Sequence, residues 1–286
     1  MTTAAGTPPG MTDTALESLL RRDRAIVAAC LMAMIAIAWG HLLWLARTMP
    51  MTGMDAAAMP MAGMDPAAMR LMQPAPHPWQ AMEFVAVYAM WVVMMVAMML
   101  PSAAPMILLY ARVGRQAGQR GKPFAATGFF ALGYLMAWAG FSLVATVAQW
   151  QLARTLLLDP ALASTSGALS GLLLVVAGLF QWTALKDACL AQCQAPLQFI
   201  HRHGGFRGTP HGAFAIGLRH GAYCLGCCWA LMALLFVGGV MNIAWIALLS
   251  LFVLAEKLVP RATWLPRFAG LVLVGAGAWM LIATIA

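Results

Sequence analysis

The stretch IGLRHGAYCLGCCWALM, from Ile216 to Met232, decides how the chain folds. It is apolar enough to enter a lipid bilayer, yet it contains one arginine, one histidine and three cysteines. In an α-helix, side chains that are four, seven and eight residues apart share one stripe of the surface. The stretch therefore predicts a helix whose potential metal ligands lie on one stripe, namely His220, Cys224, Cys227 and Cys228.

The residue types on this stripe indicate a chemistry. A neutral imidazole and cysteine thiolates are soft ligands that suit Cu(I) or Zn(II). Charged and polar side chains such as Arg219 and His220 are unfavourable inside an apolar span, so they suggest a function. Cysteine is also a small hydrophobic residue that packs well in buried helices. Three cysteines within five residues, one turn after a histidine, favour a metal or redox role over packing.

The composition of the whole chain indicates an integral membrane protein. Of 286 residues, 63% are hydrophobic and only 9% are charged. The net charge of +8 comes from basic residues between the apolar runs, where they set membrane topology. We therefore expect no nucleic-acid binding. The chain also contains no nucleotide-binding loop or hydrolase motif, so we predict no catalytic residues.

The apolar runs predict an all-α, polytopic transmembrane bundle of about seven spans. Residues 1–24 are expected to form a disordered cytoplasmic tail, and residues 25–286 the bundle. A basic loop after the second span is cytoplasmic by the positive-inside rule, which leaves residues 47–80 on the opposite side. The expected location is a bacterial inner membrane with a cytoplasmic N-terminus. The predicted spans are 25–46, 82–110, 124–150, 167–200, a fifth that begins near Gly212, 240–258 and 265–285.

The predicted extracytoplasmic loop contains two copies of a ten-residue repeat that is rich in methionine. MTGMDAAAMP at 51–60 is followed in register by MAGMDPAAMR at 61–70. Thioethers bind Cu(I) and need no deprotonation, so this loop could collect copper where thiols would fail. A low-complexity linker, or a short piece lying on the membrane, explains the repeat equally well. The candidate copper ligands in the repeat are Met51, Met54, Met61 and Met64.

A second cysteine pair, Cys189 and Cys193, lies one helical turn apart in the fourth predicted span. If that helix continues to about Ile200 and turns near Phe206, Cys189 comes level with Cys224, and Cys193 with His220. Two ligand pairs would then face each other across a helical hairpin, as a four-coordinate site requires. Pro196 weakens this expectation, because proline can bend or end a helix.

Several other residues leave alternatives open. Arg219 would favour metal-binding thiolates by its charge. The methionines of the second span could line a copper path, but packing is favoured. Glu256 and Lys257 form either a solvated pair at the interface or a proton or ligand group inside it.

Three functions are compatible with these features. The favoured one is copper handling, either by transport or by holding Cu(I) for insertion into a periplasmic metalloprotein or a membrane enzyme. Zinc is the alternative metal. A membrane thiol–disulfide oxidoreductase could use the C-x-x-C of Cys224 and Cys227, with Cys189 and Cys193 as a resolving pair. A structural or assembly subunit could use the thiols for packing or for a structural zinc.

Five segments together give the chain a family resemblance. The chain resembles a bacterial family of uncharacterised integral membrane proteins that are predicted to bind metal. The resemblance covers roughly residues 80–260 and implies a multi-span metal-binding protein, without implying a substrate or a reaction. The matching segments are MWVVMMVAMMLPSAAPMILLY, CLAQCQAP, YCLGCCWALM, GGVMN and AEKLVP.

Overall fold

The computed structural model of the chain describes residues 11–48, 81–119, 127–155, 164–207, 209–259 and 264–285. The described residues form an all-helical protein, which confirms the all-α part of the predicted fold class. The helices are α1 (Met11–Thr48), α2 (Ala81–Gln119), α3 (Thr127–Arg154), α4 (Gly167–Phe180), α5 (Ala184–Gln194), α6 (Pro196–Arg202), α7 (Pro210–Ala233), α8 (Leu235–Gly238), α9 (Ile243–Leu258) and α10 (Trp264–Ile285).

Five helical segments are long and apolar enough to cross a membrane. They are Ala25–Arg47, Ala81–Gln116, Thr127–Arg154, Pro210–Gly238, which combines α7 and α8, and Trp264–Ile285. Helices α4 and α5 meet at a 66° bend and would add a sixth crossing if they form one broken span. The sixth predicted span corresponds to α9, whose 16 residues are fewer than the roughly 20 of an ordinary crossing.

The structure describes only part of the N-terminal region. Helix α1 begins at Met11, and residues 1–10 of the predicted tail lie outside the described residues. The methionine repeat at 51–70 lies outside them as well.

Proline residues inside α2 create the contact that holds α1 against it. Pro101 has no N–H group, so the carbonyl of Ala97, one turn earlier, has no partner within the helix. The indole Nε1 of Trp39 in α1 donates a hydrogen bond to that carbonyl over 3.1 Å. The freed backbone group is thus satisfied by protein, as a helix break in an apolar surrounding requires.

Helices α3 and α7 approach each other closely at two glycines. A Cβ atom at Gly217 would collide with the carbonyl oxygen of Phe130, and one at Gly133 would collide with that of Phe214. Small residues at such crossings let two apolar helices pack backbone to backbone. This contact places Tyr134 of α3 beside the cysteine stripe of α7.

The predicted straight hairpin between the fourth and fifth spans is wrong, because the chain breaks twice before it turns. Thr183 caps a new helix, accepting a hydrogen bond from the backbone N–H of Lys186. Pro196 then starts the separate helix α6, since its ring fits the first turn of a helix but not the interior. The turn itself uses Gly204 and Gly205, whose φ angles of 90° and 75° favour glycine.

A buried ion pair fixes α5 against α9. The Lys186 ammonium is completely buried and donates to both carboxylate oxygens of Glu256, over 2.7 and 2.9 Å, and also to the side-chain oxygen of Gln181. At the other end of α5, the Gln194 amide donates to the Glu256 carbonyl over 2.7 Å. Glu256 and Lys257 are both buried, so the solvated pair that the sequence allowed is excluded.

We predict that the substitution Glu256→Gln destabilises the fold strongly, because it leaves the Lys186 ammonium buried without its counter-ion. Removing one partner of a buried pair typically costs about 3–5 kcal/mol. The double variant Lys186→Met/Glu256→Gln removes both charges and should recover most of the lost stability. Thermal unfolding of the purified variants in detergent measures both effects. A single variant as stable as the parent would contradict the assignment of this pair.

Candidate metal centre

The four predicted ligands of α7 all face the interior of the protein. His220 is 3% exposed, and the side chains of Cys224, Cys227 and Cys228 are each 1% exposed. The stripe predicted from helical spacing is therefore turned toward the other helices and away from the outer surface. Burial of one histidine and three free thiols on one helix face places soft donors along one stripe of the interior.

Two of the three thiols form hydrogen bonds to the backbone carbonyl of Cys224. The Sγ atoms of Cys227 and Cys228 each lie 3.0 Å from the carbonyl oxygen of Cys224 and donate to it. The thiol of Cys193 on α5 is close enough to interact with the thiols of both Cys224 and Cys227. The structure thus brings a half-buried thiol of α5 to the stripe of α7.

The register between α5 and α7 differs from the predicted one. Cys189 lies against Gly226, where an added Cβ atom would be 2.8 Å from the Cys189 Sγ, and not level with Cys224. Cys193 lies beside Cys224 and Cys227, and not level with His220. The pairing is displaced by roughly one helical turn, because α6 and its glycine turn replace the simple hairpin connection.

One methionine of α2 joins the thiols. The Met99 Sδ lies 3.9 Å from the Cys228 Sγ, and Met99 is completely buried. The sequence favoured packing for the methionines of this span, and their even spacing gave no sign that Met99 would contact sulfur. We use the name sulfur cluster for Cys193, Cys224, Cys227, Cys228 and Met99.

A buried lysine supplies the positive charge at the sulfur cluster. The Lys257 Nζ donates to the Cys224 Sγ over 2.9 Å and to the Ser102 hydroxyl over 3.0 Å. The Tyr134 hydroxyl lies 3.1 Å from the same sulfur and 3.2 Å from the Met99 carbonyl oxygen. Sequence analysis missed this role, although a lysine at the end of an apolar run was a usable signal.

The expectation that Arg219 serves the thiols is wrong. Arg219 is exposed and lines a surface cleft with His203 and Arg207. Adjacent helical residues point about 100° apart, so the helix that buries His220 turns Arg219 outward.

His220 has an unsatisfied polar atom. Its Nδ1 is buried and has no hydrogen-bond partner in the part of the chain that the structure describes. The ring packs among aromatic side chains, with ring centroids 5.1 Å from Phe199, 5.8 Å from Tyr134 and 6.0 Å from Phe130. Buried polar groups are usually paired, so the unpaired Nδ1 of His220 is compatible with binding to a ligand.

Other predicted or possible ligands lie elsewhere or outside the described residues. The repeat methionines Met51, Met54, Met61 and Met64 are not among the described residues. Cys30 is exposed on α1. His201 and His211 are exposed near the turn that connects α6 to α7.

The sulfur cluster contains suitable metal donors, but three of its thiols already form hydrogen bonds within the protein. Among the described residues, no group of three or more His, Cys, Asp or Glu side chains has the geometry of an assembled metal site. The physical reason is visible in the contacts: two thiols donate to the Cys224 carbonyl, and Lys257 donates to the Cys224 sulfur. Binding of a soft metal ion here requires these side chains to rotate toward a shared point.

Comparison with known proteins gives one result. Residues 88–280, about two thirds of the chain, match the model of the family PpoB2, which is described as copper chaperone. The matched region includes the whole sulfur cluster, His220 and Lys257, and it excludes α1 and the methionine repeat. No curated protein and no solved structure matched the chain. Because the match spans well over half of its length, the chain belongs to the PpoB2 copper chaperone family.

Proposed function

We propose that this protein is a multi-pass membrane copper chaperone, which holds Cu(I) in the sulfur cluster and releases it to a partner. The observation that carries the proposal is the convergence of three buried cysteines, a buried methionine and the half-buried Cys193 from three helices. Soft sulfur donors select Cu(I) over the harder cations that are abundant in cells. Membership in a copper chaperone family supports the same metal.

The ligand set offers more donors than one Cu(I) ion needs. Cys224, Cys227 and Cys228 supply thiolates from one helix, and Cys193 supplies another from α5. Met99 and His220 add a thioether and an imidazole at the edges of this group. Cys189, which lies next to Gly226, is one turn before Cys193 on α5. An excess of similar donors suits a chaperone, since ligands can be exchanged one at a time during transfer.

Lys257 has a defined electrostatic role in this proposal. A Cu(I) ion bound by two thiolates carries one net negative charge. A net charge in an apolar interior is unfavourable unless an opposite charge lies beside it. The Lys257 ammonium, 2.9 Å from the Cys224 sulfur, supplies that charge from α9.

The methionine repeat and the topology complete the proposal. We propose about seven spans in a bacterial inner membrane, with α9 crossing as the sixth and the N-terminus in the cytoplasm. Residues 47–80 then face the periplasm, where Met51, Met54, Met61 and Met64 would collect Cu(I). The recipient would be a periplasmic metalloprotein or a membrane enzyme that requires copper.

We predict that the triple variant Cys224→Ser/Cys227→Ser/Cys228→Ser loses the tightly bound copper. Loss of second-shell groups alone weakens metal sites about 10–100-fold, so loss of three ligands should weaken Cu(I) binding by more than about 100-fold. Competition titration with a Cu(I) chelator under reducing conditions measures the affinity. The control Cys30→Ser removes an exposed thiol of α1 and should bind Cu(I) normally. Unchanged affinity in the triple variant, or tight binding of Zn(II) alone, would refute the copper site.

We predict that Lys257→Leu weakens Cu(I) binding, because the negative charge of the loaded cluster then lacks its buried partner. Lys257→Arg keeps the charge and should bind Cu(I) more tightly than Lys257→Leu does. Both variants are compared by the same chelator competition, at one pH and one ionic strength. If leucine and arginine at this position gave equal affinities, charge compensation by Lys257 would be wrong.

The variant with Met51, Met54, Met61 and Met64 all replaced by leucine should keep one tightly bound Cu(I) but lose weaker equivalents. Leucine preserves apolar bulk and removes the thioether. Copper stoichiometry at increasing Cu(I) concentration distinguishes the two classes of site. Loss of the tight equivalent would show that the repeat itself, and not the sulfur cluster, is the main site.

A further inference from the structure

A surface cleft lies outside the sulfur cluster, on the first half of α7. The cleft has a volume of about 100 Å³ and is lined by His203, Arg207, Ala215, Ile216 and Arg219. Its polar lining is basic: two guanidinium groups and one imidazole, with no acidic side chain among the lining residues. Such a lining recruits an anion.

Arg219 lies within α7 and not in the loop before it, so the cleft extends along the helix. Arg219 is nine residues after Pro210, the first residue of α7, which places it about 13 Å along the helix axis. Its neighbour Leu218 is also exposed, so this face of α7 is turned to the surroundings of the bundle. An arginine at that depth in a membrane is unfavourable unless it reaches the interface or meets an anion.

The two arginines are available for such an anion. Within the described residues, neither Arg207 nor Arg219 has a hydrogen bond or an ion pair to an acidic side chain. Arg207 lies over the glycine turn, with an ideal Cβ at Gly204 3.2 Å from one of its guanidinium nitrogens. Helix α7 and the turn before it thus present two guanidinium groups to one small cleft.

The chemistry of the cleft points to a phosphate group. Guanidinium groups are planar donors that match the oxygens of a phosphate, often through two hydrogen bonds at once. Basic pockets beside transmembrane helices bind the headgroups of anionic phospholipids. Ala215 and Ile216 provide an apolar wall beside the charged groups, as expected where a headgroup meets its glycerol and acyl chains.

We propose that this cleft binds the phosphate of an anionic phospholipid headgroup. The inference rests on the membrane placement proposed above, and it does not depend on the sulfur cluster. A bound headgroup would neutralise Arg219 at its depth in the membrane. It would also tie the connection between α6 and α7 to the membrane surface.

The test compares lipids and variants of the full-length protein after delipidation in a neutral detergent. Thermal unfolding is followed with phosphatidylglycerol, with phosphatidylcholine, and with inorganic phosphate at the same concentration. A ligand well above its dissociation constant stabilises the native state, so we expect phosphatidylglycerol to raise the melting temperature by at least about 3 °C. Phosphatidylcholine and inorganic phosphate should give much smaller shifts. Equal shifts with both lipids, or the full shift with inorganic phosphate, would overturn the proposal.

The variant Arg207→Gln/Arg219→Gln should lose the response to phosphatidylglycerol. Its charge-matched control is Arg47→Gln/Arg154→Gln, which removes two exposed arginines from the ends of α1 and α3 and should retain the response. Retention of phosphatidylglycerol by the parent protein in native mass spectrometry gives an independent measurement that needs no variant. Loss of the response in both double variants would mean that net charge, and not the cleft, attracts the lipid.

Copper titration separates this proposal from the proposed function. The Arg207→Gln/Arg219→Gln variant should bind Cu(I) as the parent does, because Arg219 faces away from the thiols. A parent protein that binds Cu(I) tightly but shows no preference for phosphatidylglycerol would refute the lipid site alone. A lipid preference without tight Cu(I) binding would refute the copper site alone.

Discussion

The buried ammonium of Lys257 is the constraint on which the candidate centre depends. An apolar helical bundle cannot hold an isolated charge, so its partners must converge on it. Here the partners come from three helices: the Ser102 hydroxyl of α2, the Cys224 sulfur of α7 and, through that sulfur, the Tyr134 hydroxyl of α3. The same contacts bring Met99 to the thiols, so one cation organises the soft donors of the interior.

Two consecutive residues of α9 contact the two helices that carry the clustered cysteines. Glu256 binds Lys186 and thereby fixes α5, which carries Cys189 and Cys193. Lys257 reaches the thiols of α7. The short helix α5 packs mainly against α7, and its polar contacts to Glu256 also tie it to α9. A metal chaperone must release its metal to a partner. A cysteine pair on a short helix, which is held to α9 by an ion pair, is suited to that exchange.

Much of the fold could be predicted from the sequence, because apolar runs and helical spacing are local properties. The stripe of His220, Cys224, Cys227 and Cys228 follows from residue spacing alone and is buried as expected. The register of Cys189 and Cys193 could not be predicted, since it depends on the breaks at Thr183 and Pro196. The partners of Lys257 lie more than 30 residues away in the sequence and meet it only through tertiary packing.

X-ray absorption spectroscopy at the copper edge, on the purified full-length protein loaded with one equivalent of Cu(I), tests the central claim most directly. A site in the sulfur cluster predicts a first shell dominated by sulfur, with at most one nitrogen from His220. In the Cys224→Ser/Cys227→Ser/Cys228→Ser variant, made with Met51, Met54, Met61 and Met64 replaced by leucine so that the repeat supplies no sulfur, most of that sulfur shell should be lost. A first shell of nitrogen and oxygen in the parent protein, or an unchanged sulfur shell in the triple variant, would contradict the account.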